Sequence, residues 1–386
     1  MLALAAAGCS SSSEPKHAAP LPVSGPSNVV RVALADLLWP LDPGKAQTRD
    51  EIVLARMLFS TPLRTGADGR LRPGLCTSWR TMGKSLHLRC SHADAIAAHL
   101  RQETAWEVAV PTEHMVVVRT KAEVADLPYL LTEPWSAPSG VPGPFRLISA
   151  SPRRVVAERN GVRVDVRQLA PFAALKLFLA GKLDEVPVPL GDIRATKLDS
   201  QLAPALRIRR LLAADAVVFS HHVPRKTFEV YDDTADRADY QALVPEFEAP
   251  PAESLSERGK PSASKAAIAL RDARKRVPSL PKIPVRFELP ADPTLAYGTN
   301  LLVAAWRDLG LGAVAGGGQD AELERLAAPY PRARALTALA RGKHLVPIAW
   351  VADARLVSPR LRGWREDELG SVDYSRVKLR GQSRRR

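Results

Sequence analysis

Short β-branched runs alternate with segments of helical period along most of this chain, and that alternation restricts it to α/β architectures. A bundle or a sandwich would show only one of the two periods. Val29 to Leu34 reads as an opening strand that breaks at Trp39-Pro40-Leu41-Asp42-Pro43, and Glu51 to Phe59 spaces Ile52, Ala55, Met57 and Phe59 on one helical face. Strands are expected at Phe145 to Ser149, Arg154 to Arg159 and Val162 to Gln168, followed by a helix at Phe172 to Ala180 stopped by Gly181. A Pro-, Ser- and charge-rich loop occupies Ala249 to Lys265. Beyond it the spacing predicts a helix near Ser264 to Arg276, a strand at Val285 to Leu289, an amphipathic helix at Thr299 to Leu309 ended by Gly310, and a helix near Ala321 to Arg341. With 386 residues, 46% of them hydrophobic, the chain can bury about two or three domain-sized cores.

The first nine residues end in Ala6-Ala7-Gly8-Cys9 after a short apolar run, the pattern of a lipoprotein export signal. Small residues let a signal peptidase close on the extended backbone, and the Cys9 thiol takes the lipid. No Lys or Arg precedes the run, and it is shorter than the usual ~7–15 residues, so the true start is expected upstream. Ser10 to Ser27, rich in Ser, Pro and Ala, reads as a flexible tether. No later segment offers the ~18 apolar residues of a membrane span, which leaves Cys9 as the expected membrane anchor of an exported, periplasmic or extracellular protein.

If Cys9 is acylated, Cys76 and Cys90 remain, and an oxidising compartment permits them to pair. Between them, Thr77 to Arg80 and Ser85 to Arg89 read as a hairpin around Met82-Gly83-Lys84, with Leu86 and Leu88 alternating against His87 and Arg89. The cysteines would face each other at its open end, and closing that loop would contribute up to ~3 kcal/mol. The alternative is two unpaired, buried small hydrophobes.

A net charge of +14 would ordinarily raise nucleic-acid binding, but the arginines are scattered and no zinc-finger or RNA-recognition signature accompanies them. The charge is read instead as a solvated basic surface facing anionic lipid or wall polymer, with Arg380 to Arg386 a basic tail. No Gly-x-Ser-x-Gly elbow, His-Glu-x-x-His helix or Walker loop is present, and Gly316-Gly317-Gly318 lacks a following Lys-Ser/Thr. His87, His92, Asp94 and His99 could suit zinc or nickel, yet a polar surface helix beside a hairpin explains them more simply. His221 and His222 alternate across an expected strand, so at most one faces a cleft. The expectation is a non-enzyme with no cofactor and no metal.

The order of the motifs resembles the family 5 extracellular solute-binding proteins, which serve peptide and nickel ABC importers. Leu41-Asp42-Pro43, Leu58-Phe59, Asp68-Gly69-Arg70-Leu71-Arg72-Pro73-Gly74-Leu75, Ser78-Trp79 and Leu86-His87-Leu88-Arg89 resemble the family's front. Gly143-Pro144-Phe145-Arg146-Leu147, Ala180-Gly181-Lys182-Leu183-Asp184, Trp306 to Leu311, Val346-Pro347-Ile348, Gly363-Trp364 and Val372-Asp373-Tyr374 follow in the family's order, so that the resemblance spans residues 28 to 379.

The resemblance implies a two-lobe periplasmic-binding-protein-like fold, type II and similar to cluster C, with crossing hinge strands at Val217 to His222 and Leu345 to Trp350. Lobe I would comprise residues 28–216 and the return 351–386, with a small subdomain near 45–138; residues 217–350 would hold the hinges and lobe II. It implies a peptide or other small polar ligand captured between the lobes, an ABC transporter permease as partner, and a monomer. Ligand contacts carried over from the family fall on Gln47, Arg49, Phe219, His221 and Trp350. Departures concentrate in Gly312 to Leu345, where lobe II is short and the acidic anchor of peptide binders has no counterpart. Peptide specificity is therefore open, and the alternative is a cell-surface interaction protein that keeps the fold but not ligand capture.

Overall fold

The computed structural model of the protein describes residues 28–379 apart from 36, 38, 47, 67, 122–125, 243–262, 281–282 and 292. The expected export signal with Cys9, the tether, Gln47, most of the loop at 249–265 and the basic tail lie outside the described residues.

The spine is a ten-stranded mixed sheet. Its strands, from edge to edge, are Ala313–Ala315, Val285–Glu288, Ala321–Ala327, Leu206–Phe219, His344–Val357, Glu185–Pro187, Val29–Leu34, Val162–Gln168, Arg154–Arg159 and Arg146–Ser151. Two central strands of 14 residues each, Leu206–Phe219 and His344–Val357, run antiparallel side by side and belong to two cores at once. Val217, Phe219, Val346 and Ile348 enter the core of lobe II with Tyr231, Phe287 and Trp306, whereas Ala354, Leu356 and Val357 enter the cores of lobe I.

In lobe I, Val29–Leu34 pairs in parallel with Val162–Gln168 and is covered on both faces. Val30, Val32 and Leu34 point to one core and Ala33 to the other, so the near-continuous apolar run follows from burial on both sides. The helix Arg49–Leu58 packs Val53, Leu54 and Met57 on the first face. A reciprocal capping box fixes its start, with Thr48 accepting from the Glu51 N–H and Glu51 accepting from the Thr48 N–H. Gly181 and Gly310, at φ +66° and +86°, end the helices Pro171–Leu179 and Pro293–Asp308 in the left-handed region that a Cβ disfavours.

The small subdomain is a four-stranded antiparallel sheet in the order Cys76–Met82, Ser85–Cys90, Met115–Arg119, Glu107–Thr112. Leu86, Leu88, Val116 and Val118 pack under Ile96, Ala97 and Leu100 of the helix Ala93–Glu103. Cys76 and Cys90 sit opposite each other in register, and their sulfurs are bonded at 2.09 Å.

Two local expectations are corrected. Ala321 to Arg341 is not one helix: Ala321–Ala327 is a strand between Val285–Glu288 and Leu206–Phe219, and only Ala333–Leu339 is helical. Ala321 and Leu323 turn inward while Arg325 lies opposite Asp215 and binds it through both nitrogens, at 2.8 and 3.0 Å. The vacant sheet slot overrides the helix propensity of Ala, Glu, Leu and Arg. His221 and His222 do not alternate on a strand either, because the strand ends at Phe219 and both rings are exposed in the following turn. Among the described residues no helix is long and apolar enough to cross a membrane.

Candidate functional site

The two long strands pair from Leu206 to Arg210 and again from Ala214 to Phe219, with the register broken between. In that gap the Leu212 N–H donates to the Glu368 carbonyl at 2.7 Å, and the Leu212 carbonyl accepts from the Ala328 N–H at 2.8 Å. One residue therefore ties the crossing to lobe II and to the C-terminal return.

Around this joint the lobes meet over a packed seam. Trp350, 3% exposed, lies among Leu212, Ala214, Leu326, Tyr330 and Leu336, with Tyr129 and Leu369 of lobe I closing on the same cluster. The Arg210 guanidinium lies over the Trp350 ring at 4.8 Å. Asp126, beside the small subdomain, accepts from the Tyr330 hydroxyl at 3.2 Å and from Arg332 at 2.5 Å, and Arg332 lies over Tyr129 at 4.7 Å. A tilted contact between the Tyr129 and Tyr330 rings at 5.9 Å, a cation over a ring and an ion pair thus fasten lobe I to lobe II.

Beneath the seam, on the lobe I side, sits a buried ion network. Arg49 binds Asp50, Asp353 and Glu366, at 3.2, 2.8 and 2.5 Å, and Arg355 reaches Glu185 at 3.1 Å and Asp353 at 3.2 Å. Burial works against the Arg49 charge, but the Asp353, Glu366 and Asp50 carboxylates outweigh it and hold the guanidinium above its ordinary value. Burial pushes Asp353 up despite Arg49, with Glu366 adding to the rise. Burial also pushes Glu185 up to about 7, against the pull of Arg49 and of the Trp364 and Tyr374 donors at 2.7 and 2.9 Å. The network joins the helix Arg49–Leu58, the strands Glu185–Pro187 and His344–Val357, and the C-terminal return at Trp364, Glu366 and Tyr374.

At the other end of the helix Arg49–Leu58 lies a cavity of about 150 Å³ between the body of lobe I and the small subdomain. Met57, Phe59, Pro144, Phe145 and Val372 form apolar wall, and Arg56, Arg64, Arg365 and Arg376 bring cations to it. Asp367 binds Arg56 at 3.1 Å and accepts from the Leu369 and Ser371 N–H groups. Near Arg56 stands Glu133, which accepts from Trp135 and which burial pushes up to about 7 against that bond and the Arg56 charge.

No protein-family model and no curated protein matches the sequence. Solved structures do match. The Escherichia coli murein tripeptide binding protein superposes at a TM-score of 0.72 with 12% identity, over 93% of this chain and 99% of its own. A clavulanic acid biosynthesis oligopeptide binding protein gives 0.74 and 13%, over 91% and 95%. Haemophilus influenzae OppA, in complex with RPPGFSPFR, gives 0.69 and 13%, over 92% and 99%. The fold is that of the two-lobe solute-binding proteins.

Within this fold the residues expected at the ligand do not converge. Phe219, 2% exposed, is turned into the core of lobe II, with its ring 5.6, 5.4 and 6.1 Å from those of Phe228, Tyr231 and Phe287. Trp350 fills the seam, and Arg49 is paired with the carboxylates of Asp50, Asp353 and Glu366. His221 is exposed, with its ring 5.0 Å from that of His344. Strand alternation directs the Phe219 and Trp350 rings into these apolar clusters, while His221 stays at the surface. Sequence reasoning missed Asp126, Tyr330 and Arg332, which carry no local signal, Arg355 and Glu185, whose signal is charge inside otherwise apolar strands, and Asp184, which immediately precedes the strand Glu185–Pro187.

Proposed function

We propose that the protein is an exported solute-binding protein, lipid-anchored at Cys9, which captures a peptide or other small polar solute between its lobes and delivers it to an ABC importer. The observation that carries this reading is the pair of long strands shared by two separate cores, in a fold that matches oligopeptide- and tripeptide-binding proteins over more than nine-tenths of the chain. Such a joint converts ligand contacts with both lobes into one closed shape that a permease can read. The test is a thermal-shift screen with peptides, nickel and small polar metabolites, followed by small-angle scattering. A ligand at 100 times its Kd should add about 2.7 kcal/mol of stability and compact the particle. Replacing Cys9 by Ser behind a complete export signal should release the protein from membranes, and unchanged detergent-phase partitioning would sink the anchor.

The packed seam favours a second reading, an interaction protein that keeps the fold without ligand capture. Trp350, Tyr330, Tyr129 and Leu369 already occupy space where the lobes face each other. On this reading no ligand shifts the melting temperature and the scattering profile stays fixed.

A further inference from the structure

The two crossing strands end beside each other at the lobe II side of the joint, where Phe219 lies opposite His344. The chain turns directly after Phe219, and that turn brings the His221 ring to 5.0 Å from the His344 ring, at an angle of 70°. His344 also packs against Phe228 of the helix Arg225–Ala242, with ring centres 5.4 Å apart. Its Nδ1 is shut in, which leaves Nε2, unbonded among the described residues, as the nitrogen that solvent reaches. His221 is exposed and touches no polar partner among the described residues. Other histidines are engaged: His92 by Ser91, His99 by the Trp135 carbonyl, His114 by Glu113, and His222 by Ser220 and Asp320 at 2.7 Å each. Lys343, the cation next to His344 in the chain, is bound by Glu324 at 2.7 Å.

We propose that His221 and His344 form a binding site for a divalent transition-metal ion, copper(II) foremost, with water completing the shell. An imidazole that binds such an ion holds its ring centre about 3.2 Å from it, so two rings at a tetrahedral angle stand about 5.2 Å apart. The observed 5.0 Å is close to that spacing. Imidazole nitrogen suits copper, nickel and zinc, and copper(II) binds such donors most tightly. His344 is fixed by Phe228 and the strand, whereas His221, exposed in its turn, is free to rotate a nitrogen onto the ion. His344 opens one crossing strand and His221 follows the other, so a bound ion would tie the two together without any movement of lobe I.

Titration of the untagged full-length protein with copper(II), read by calorimetry and pulsed electron paramagnetic resonance, tests this. Cys9→Ser is introduced throughout to remove a competing thiol. One ion per chain is expected, with a Kd below about 100 µM and nitrogen couplings from two imidazoles. His221→Gln and His344→Gln should each weaken binding by at least about tenfold, whereas His87→Gln, in the small subdomain, should leave it unchanged. If His344→Gln fails to fold, His221→Gln at its exposed position still decides. The scattering radius should stay fixed, which separates this site from capture between the lobes. Coupling to a single imidazole, unaltered affinity in His221→Gln, compaction of the particle, or no binding below about 1 mM would each overturn the assignment.

Discussion

Lobe I is organised around buried charge and lobe II around clustered rings. In lobe I, Arg31 and Arg360 both bind Asp184 at 2.9 Å, next to the Arg49, Arg355, Glu185, Asp353 and Glu366 network. In lobe II, Phe219, Tyr231, Phe287 and Trp306 pack with centroids between 4.9 and 6.1 Å, edge-on or tilted except for the stacked Phe287–Trp306 pair. Rings are held by area and tolerate exchange for other apolar groups of similar volume. Charges are held only while every partner is present, so the network fixes the relative places of segments far apart in the chain. Lobe I is thereby a positioning device and lobe II a packed body.

The largest effect should come from a change that alters no volume. Asp184→Asn removes the carboxylate that both Arg31 and Arg360 bind and should cost about 3–5 kcal/mol in urea unfolding. A loss under about 1 kcal/mol would break the contrast between the lobes. Next, replacing Cys76 and Cys90 together by Ser opens the bonded hairpin and should lower stability by up to ~3 kcal/mol, with hydrogen exchange rising first in the small subdomain. An unchanged exchange map there would show that its helix-covered sheet suffices alone.

Leu302→Met, a near-isosteric swap in the lobe II core, should cost less than about 1.5 kcal/mol. If it matched Asp184→Asn, apolar packing in lobe II would be as exacting as charge pairing in lobe I. The smallest effect concerns Glu133. Its carboxyl is pushed up to about 7 in the fold from an ordinary 4.5, so between those values the folded state binds more protons than the unfolded chain. Stability from this group is present at low pH and declines as pH rises through that window. Glu133→Gln should flatten that decline in melting temperature between about pH 4.5 and 7, and an unaltered slope would assign it to other groups.

Elements whose packing partners are close in sequence are readable from spacing. Leu86 and Leu88 alternate, Gly83 turns the chain at φ +56°, and the strand at 115–119 completes the same sheet. Ala321–Ala327 is not readable in this way. Its Glu-Leu-Glu-Arg-Leu core satisfies both periods over so few residues, and the slot that makes it a strand is cut by Leu206–Phe219, about a hundred residues earlier. Trp350 poses the same difficulty: its apolar strand is evident, but the partners that bury it come from Tyr129, Tyr330 and Leu369. Buried charge does leave a trace, since Arg31 interrupts Val29–Leu34 and Arg355 interrupts His344–Val357, positions where only a paired cation is tolerated.

The strand order also dictates a sequence in time. Glu185–Pro187 lies between Val29–Leu34 and His344–Val357, so as the chain is made from its N-terminus one edge of the lobe I sheet stays open until residues 355–357 emerge. Until then Asp184 has Arg31 but still lacks Arg360. All the strands in the lobe II half of the sheet are complete by the same moment, within 206–357. Lobe II can therefore fold from one continuous stretch of chain, whereas lobe I, begun first, must be finished last.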